Sequence, residues 1–377
     1  MLRNYLNERL IILLLIVFFL PSCNSSKKKD LKPISELNLK YAKGFRILNY
    51  KDFDLIKIYN PNDASKVNTE FIIHNSGAKI PNRYKNLTKI KRPISKMVCL
   101  TLTQLSYISE LDDINKICGM NSSRFLFNKK IKKRIQEGKI KLVGRKGNFK
   151  PEIIMKENPD VIFVSPFKEG GYASLKDVNM KLIPVFAYNE NHPLARAEWL
   201  KFFAEFTGKR KLADSVFNKI DKKYNSLKNL TKNIKNRPTI FSGECKSGVW
   251  YAVGGKSYLS HYFHDAGADY IFKDNKESGA LRIDFESMYA KAAKAKYWRI
   301  LNSNKGRFSY NILESKDERY KDFYAFKNKN IIYCNMREKA FYETSPVKPH
   351  IILADYIKSI HPELLPQYNN HYYSILK

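Results

Sequence analysis

The stretch Lys209 to Ile234, K-R-K-L-A-D-S-V-F-N-K-I-D-K-K-Y-N-S-L-K-N-L-T-K-N-I, decides how the rest of the chain is read. Its apolar residues Leu212, Val216, Ile220, Tyr224, Leu227, Leu230 and Ile234 recur in steps of three and four, which predicts one narrow stripe on a single long helix. Gly208 precedes it, and Asn236-Arg237-Pro238 ends it because proline disfavours helical backbone in the residue before it. At about 1.5 Å per residue such a helix is roughly 40 Å long, more than one small α/β lobe covers. The stripe alone leaves two arrangements open, a helix crossing between lobes or one lying along a single large domain. The flanking segments decide for the first.

Before the helix, apolar strands alternate with helices. Strands are expected at Met97 to Leu102, Ile114 to Met120, Ile140 to Val143, Val161 to Val164 and Leu182 to Phe186, with helices at Gln104 to Leu111 and Ser123 to Gln136. After it the pattern recurs, with strands at Thr239 to Ser242, Val249 to Val253, Asp269 to Phe272, Tyr297 to Leu301 and Ile331 to Cys334. Helices are expected there at Ser257 to Ala266, Asp284 to Ala293 and Val347 to Ile360. Such alternation implies parallel sheets covered on both faces. From Tyr41 to Asn75 the reading is different: short strands around Leu55 and Phe71, with a turn at Asn60-Pro61-Asn62-Asp63, predict a β extension on the first lobe. The expected fold is α/β: two Rossmann-like lobes joined by one long rigid helix, with an N-terminal β extension. The expected divisions are a signal at 1–23, a tether at 24–40, a first lobe with its extension at 41–208, the linking helix at 209–235 and a second lobe at 236–377.

The length of 377 residues suits two domains of ordinary size. A net charge of +32, from 68 Lys and Arg against 36 Asp and Glu, invites a nucleic-acid reading. The lysines are spread through every segment with asparagines between them, and no nucleic-acid-binding signature accompanies them, so no nucleic-acid partner is inferred.

Residues 1–23 read as an export signal: Arg3 and Arg9, an apolar run from Leu10 to Leu20, then Leu20-Pro21-Ser22-Cys23. The run is too short for a bilayer, which needs about 20 residues. The ending resembles a bacterial lipobox, with Pro21 where a small residue is usual, and implies lipidation at Cys23 and a membrane-surface anchor. Of the other cysteines, Cys99, Cys118, Cys245 and Cys334, none shows C-x-x-C spacing. A disulfide between Cys99 and Cys118 and separate buried thiols both fit, the latter being preferred.

Several stretches together resemble the substrate-binding proteins of ABC importers for iron complexes and cobalamin. They are R-P-I-S-K-M-V-C-L-T-L-T-Q-L-S-Y-I-S-E-L-D-D-I-N-K-I-C-G-M-N from Arg92, K-L-V-G-R-K-G-N-F-K-P-E-I-I-M-K-E-N-P-D-V-I-F-V from Lys141, W-Y-A-V-G-G-K-S-Y-L-S-H-Y-F-H-D-A-G-A-D-Y-I-F from Trp250, R-I-D-F-E from Arg282 and H-P-E-L-L-P from His361. The resemblance runs from about Arg92 to Pro366. It implies a binding protein in the cell envelope, lipid-anchored, monomeric and facing the periplasm, that captures a small metal chelate between its lobes and hands it to an ABC permease and its ATPase. It also implies permease docking by one glutamate on each lobe, at positions matched here by Glu152 and Glu286. Read by themselves, both are acidic residues at helix starts, where the exposed amide dipoles favour them anyway.

Candidate ligand contacts are aromatic or basic. Trp250 and Tyr251 follow Gly248 at a glycine-flanked strand end, where they could stack on a flat ligand or pack in the core. Arg145 stands with Lys146 between Gly144 and Gly147, Arg282 comes from the other lobe, and the loop Asn335 to Ser345 supplies Arg337 and Tyr342. Guanidinium groups suit carboxylate or catecholate ligands. His261 and His264 beside Asp265 hint at a metal, but the apolar residues around them point to packing, so no metal site is inferred. Gly255-Lys256-Ser257 copies the end of a P-loop whose first glycine would fall on Trp250. No G-x-S-x-G elbow or H-E-x-x-H is present, and no catalytic residue or cofactor is inferred. A ferric siderophore is the leading ligand, haem or cobalamin the next. An enzyme attached to the surface on the same scaffold is the reading from another class.

Overall fold

A computed structural model describes residues 31–377 apart from 61–62, 146–147, 167–171, 173–174 and 176–179. The signal with Cys23, the Pro61-Asn62 turn and the Lys146-Gly147 loop lie outside the described residues. In the first lobe β6 (Met97–Cys99), β7 (Ile117–Met120), β8 (Lys141–Leu142), β11 (Val161–Val164) and β12 (Leu182–Pro184) form one sheet in the order β12-β11-β6-β7-β8. All its pairings are parallel. In the second lobe β13 (Thr239–Ser242), β16 (Asp269–Tyr270), β18 (Tyr297–Asn302), β19 (Ile331–Asn335) and β20 (Ser374–Ile375) run in the order β16-β13-β18-β19-β20, with only β20 antiparallel. The strand expected at Val249 to Val253 forms as β15 (Val249–Val253). It is not part of the parallel sheet, however, but lies between β14 (Cys245–Lys246) and β17 (Ala280–Ile283) in a small antiparallel one. Gly144 opens a further hairpin, β9 (Gly144–Arg145) with β10 (Asn148–Phe149), at φ +129°, where a Cβ would lie 2.3 Å from the Asn148 carbonyl oxygen.

The N-terminal extension is a five-stranded sheet of β1 (Ser35–Glu36), β2 (Phe45–Asn49), β3 (Phe53–Asn60), β4 (Asp63–His74) and β5 (Thr88–Lys91). Pairing begins at Ser35, inside the stretch expected to be a polar tether, and Lys40 reaches Asp221 on the linking helix.

Two helices connect the lobes. α4 (Pro193–Thr207) was not legible as a stripe, because every residue of it except Lys201 is buried. It starts on Pro193 with the His192 side chain accepting the Leu194 N–H at 3.1 Å, and Gly208 ends it at φ +72°, a conformation glycine adopts without strain. α5 (Arg210–Leu230) then runs back and is the long helix expected from the sequence. Its first turn abuts the first lobe, where Lys209 Nζ donates to the Leu111 carbonyl at 2.6 Å. Its last turn reaches α6 (Tyr258–Asp265) of the second lobe, where Lys228 Nζ lies 3.0 Å from Asp265 and the Thr231 hydroxyl donates to the Asp265 carbonyl at 2.7 Å. Ile220 and Tyr224 are buried as expected and Val216 and Leu227 pack partly buried against the core, but Leu212 and Leu230 are exposed, and in the first turns the buried face is rotated by one position to Ala213 and Phe217. The rotation follows from α4, which packs along α5 and draws Ala213 and Phe217 inward.

From Ile34 onward the chain forms one unit. A single apolar cluster runs through it, from Met97 and Phe163 in the first lobe across Trp199 and Phe203 of α4 to Ile240, Tyr270 and Ile332 in the second. Smaller clusters cover the outer face of each sheet, around Val98 and Ile162 and around Trp250 and Trp298. Cys99, Cys118, Cys245 and Cys334 are free thiols.

Candidate functional site

Parallel α/β sheets present their chemistry at the carboxyl ends of the strands. In the first lobe those ends open onto a cavity of about 390 Å³. Leu100 to Thr103 line it after β6, Asn121, Ser122, Arg124 and Phe125 after β7, Ser165 after β11, and Val185, Ala187 and Tyr188 after β12. Tyr107 joins them from α1 (Leu102–Glu110), and the second lobe supplies Tyr258 from the start of α6 and Phe341 and Tyr342 from α10 (Phe341–Thr344). The cavity is therefore walled by both lobes.

Arg196 reaches the cavity from α4 and is only 6% exposed. Its guanidinium carbon lies 3.9 Å from the centre of the Tyr258 ring, a cation-π contact, and its Nε has no hydrogen-bond partner among the described residues. The other buried charges of α4 are all satisfied by the chain itself. Glu198 accepts the backbone N–H groups of Lys40, Tyr41 and Ala42 at 2.7–2.9 Å, and Glu205 binds the Arg92 and Arg210 guanidinium groups. Arg196 alone of these has no opposite charge among the described residues, and guanidinium does not deprotonate in a protein. A buried, unpaired cation is costly unless something brings it an anion.

Two more arginines flank the lining residue Phe125. The Arg124 and Arg337 guanidinium carbons lie 4.6 Å and 5.7 Å from the Phe125 ring centre, one from each lobe, and Arg337 Nε donates to the Ser303 carbonyl at 2.8 Å. Tyrosine hydroxyls complete the polar lining. Burial pushes Tyr188 up to about 12, so it stays a neutral donor at physiological pH.

The residues singled out from the sequence divide. The structure places Tyr342 in the cavity lining and Arg337 against the lining residue Phe125. Trp250 is a correction: it is fully buried between Phe241, Phe285 and Trp298, with its indole N–H donated to the Ser242 carbonyl at 2.9 Å. Tyr251 and Arg282 are corrected as well, because they sit opposite each other on β15 and β17, outside the cavity lining, with the guanidinium 5.9 Å from the ring centre. Arg145 pairs through its backbone with Asn148, and its side chain lies outside the described part. Glu152 and Glu286 are exposed in the first turns of α3 (Pro151–Glu157) and α7 (Phe285–Ala292), one on each lobe. His261 packs 5.1 Å from His192, burial lowers the titration of both, and no cluster of three or more metal-ligating side chains occurs among the described residues.

Arg196, Arg124 and Tyr258 were missed. The one sequence signal for Arg196 was the pairing of Pro193 at a helix start with Gly208 at its end.

A family profile described as periplasmic binding protein matches residues 97–337. An uncharacterized lipoprotein of Methanocaldococcus jannaschii is 27% identical over 380 residues, 93% of this chain and 89% of the relative. Among solved structures, a periplasmic heme binding protein of Pseudomonas aeruginosa matches with a TM-score of 0.56 at 12% identity, over 71% of this chain and 93% of its own. A protein of an ABC-type Fe3+-hydroxamate transport system from Saccharomonospora viridis matches with a TM-score of 0.55 at 11% identity, over 71% and 94%. Both are covered almost whole, while the β extension precedes the residues that the family profile matches. No helix among the described residues is long and apolar enough to cross a membrane. With two α/β lobes, a long connecting helix and a cavity between them, the chain belongs to the periplasmic binding protein family.

Proposed function

We propose that this protein captures an anionic iron chelate, a ferric siderophore, in the cavity between its lobes and delivers it to an ABC permease and its ATPase. The observation that carries the reading is Arg196: a buried guanidinium without a carboxylate, held over an aromatic ring at the bottom of an open cleft, is a receptor for an anionic oxygen donor. Arg124 and Arg337, both beside the lining residue Phe125, add positive charge near the cavity, and Tyr342 and Phe341 supply rings against the ligand's aromatic part. Haem is the second reading, favoured by the aromatic walls, with its propionates on Arg196. Quenching of the tyrosine and tryptophan emission should separate them when the protein is titrated with ferric siderophores, haemin and cobalamin. Micromolar or tighter binding of an anionic ferric chelate is expected, and binding of cobalamin alone would overturn the assignment.

The lipid anchor at Cys23 belongs to the same proposal, supported by the lipoprotein name of the relative. Wild-type protein should fractionate with membranes and carry acyl mass on a terminal Cys23, and Cys23→Ala should lose both. An unmodified mature terminus at another residue would remove the anchor from the picture.

A further inference from the structure

The mouth of the cavity is held by a contact that crosses between the lobes. Glu343, on α10 of the second lobe, is 3% exposed. Its carboxylate accepts the Phe127 N–H at 2.6 Å and the Asn128 N–H at 2.9 Å. Those two residues close the first-lobe loop that leads from β7 into α2 (Lys129–Gln136) and carries Arg124 and Phe125. Glu343 is adjacent in sequence to Tyr342 and Phe341 on the opposite wall. One carboxylate thus ties both walls together.

The loop it holds is not relaxed. Phe125 has φ +64°, the left-handed region in which a bulky side chain is strained. Strained backbone persists where its surroundings over-determine it, and here the two N–H groups captured by Glu343 lie within three residues of Phe125. Each bond is charge-assisted and partly buried, and neither N–H has another hydrogen-bond partner among the described residues.

We propose that Glu343 is a positioning residue for ligand capture: it latches the 121–128 loop of the first lobe to α10 of the second and so sets both walls of the cavity. A carboxylate that served only to start α2 would affect the stability of that helix and leave ligand release unchanged. A latch slows ligand release, because the walls cannot part until both bonds break. The inference rests on the cavity being the ligand site, so its test has one arm without ligand.

The full-length protein in detergent, as wild type, Glu343→Ala and Glu343→Gln, is followed first by amide hydrogen exchange. In Glu343→Ala the Phe127 and Asn128 amides should exchange about ten- to a hundredfold faster, the loss expected when a buried charge-assisted acceptor is removed, while β6 and β11 stay protected. Glu343→Gln keeps one acceptor and should fall between, and it serves alone should the alanine variant not fold. In the second arm the probes are ferric enterobactin and haemin. The dissociation rate should rise about tenfold in Glu343→Ala with association changed much less, since contact losses act mainly on release. Unchanged exchange at Phe127 and Asn128 would overturn the latch, as would faster exchange with an unchanged dissociation rate. If the wild type binds neither probe, the proposed ligand fails, and the exchange arm still decides the latch.

Discussion

Arg196→Ala is expected to weaken ligand capture by orders of magnitude while leaving the ligand-free fold as stable as before or more so. Truncating one partner of a buried, hydrogen-bonded charge pair costs about 2 to 5 kcal/mol, which at about 1.4 kcal/mol per decade weakens binding by roughly thirty- to several-thousandfold. The stability expectation has the opposite sign because the ligand-free protein carries the guanidinium without a carboxylate, and removing an uncompensated buried charge relieves a penalty. Arg196→Lys should be intermediate: it keeps the charge but loses the planar fork and its stacking on Tyr258. Titration with the chelate that the wild type binds, together with melting temperature, checks both signs. Unchanged affinity in Arg196→Ala would remove the main support for an anionic ligand.

The second large effect is expected at the opposite end of the transport cycle. Glu152 and Glu286 are proposed to dock the permease, and both are exposed. Glu286 already has an internal partner, Arg319 Nη1 at 3.1 Å, and Arg319 is also held by Asp317 and stacked 3.7 Å over Phe285. An exposed pair of this kind contributes about 0 to 1 kcal/mol, so the double variant Glu152→Ala, Glu286→Ala should melt close to wild type and bind ligand normally. Uptake should fall by one to three orders of magnitude, because in the proposed docking each lost carboxylate would leave a cationic partner on the permease unpaired at a partly desolvated interface, at about 2 to 5 kcal/mol. Normal uptake by the double variant would sink the docking role and leave both residues as helix-start stabilisers.

The parallel strands were legible because their apolar runs are short, continuous and separated by helices, as with Val161–Val164 and Thr239–Ser242, which the structure reproduces residue for residue. The long helix was legible from its period, and Ile220 and Tyr224 are buried as expected, but in the first turns Ala213 and Phe217 are buried in place of Leu212 and Val216, since nothing in residues 209–234 announces that α4 lies beside them. α4 itself carries no alternation to read, because a helix buried all round loses the polar face that makes periodicity visible. Trp250 and Tyr251 show a different limit. Successive residues of a strand face opposite sides, so one was bound to be core if the other was surface, and sequence alone does not say which side meets a ligand. Residues of the cavity come from at least seven separate segments, and only folding assembles them.

The burial of α4 also bears on when the protein becomes competent. The guanidinium proposed to grip the ligand sits on a helix with almost no surface of its own: the β extension covers it through Phe45 and Phe71, the first lobe through Tyr107 and Phe163, and the second through Tyr258. These covering elements are made on both sides of α4 in the chain, from Phe45 to Tyr258. A chain emerging from its N-terminus therefore has no half-built cavity to offer, because the guanidinium is not enclosed until the residues through Tyr258 have been made.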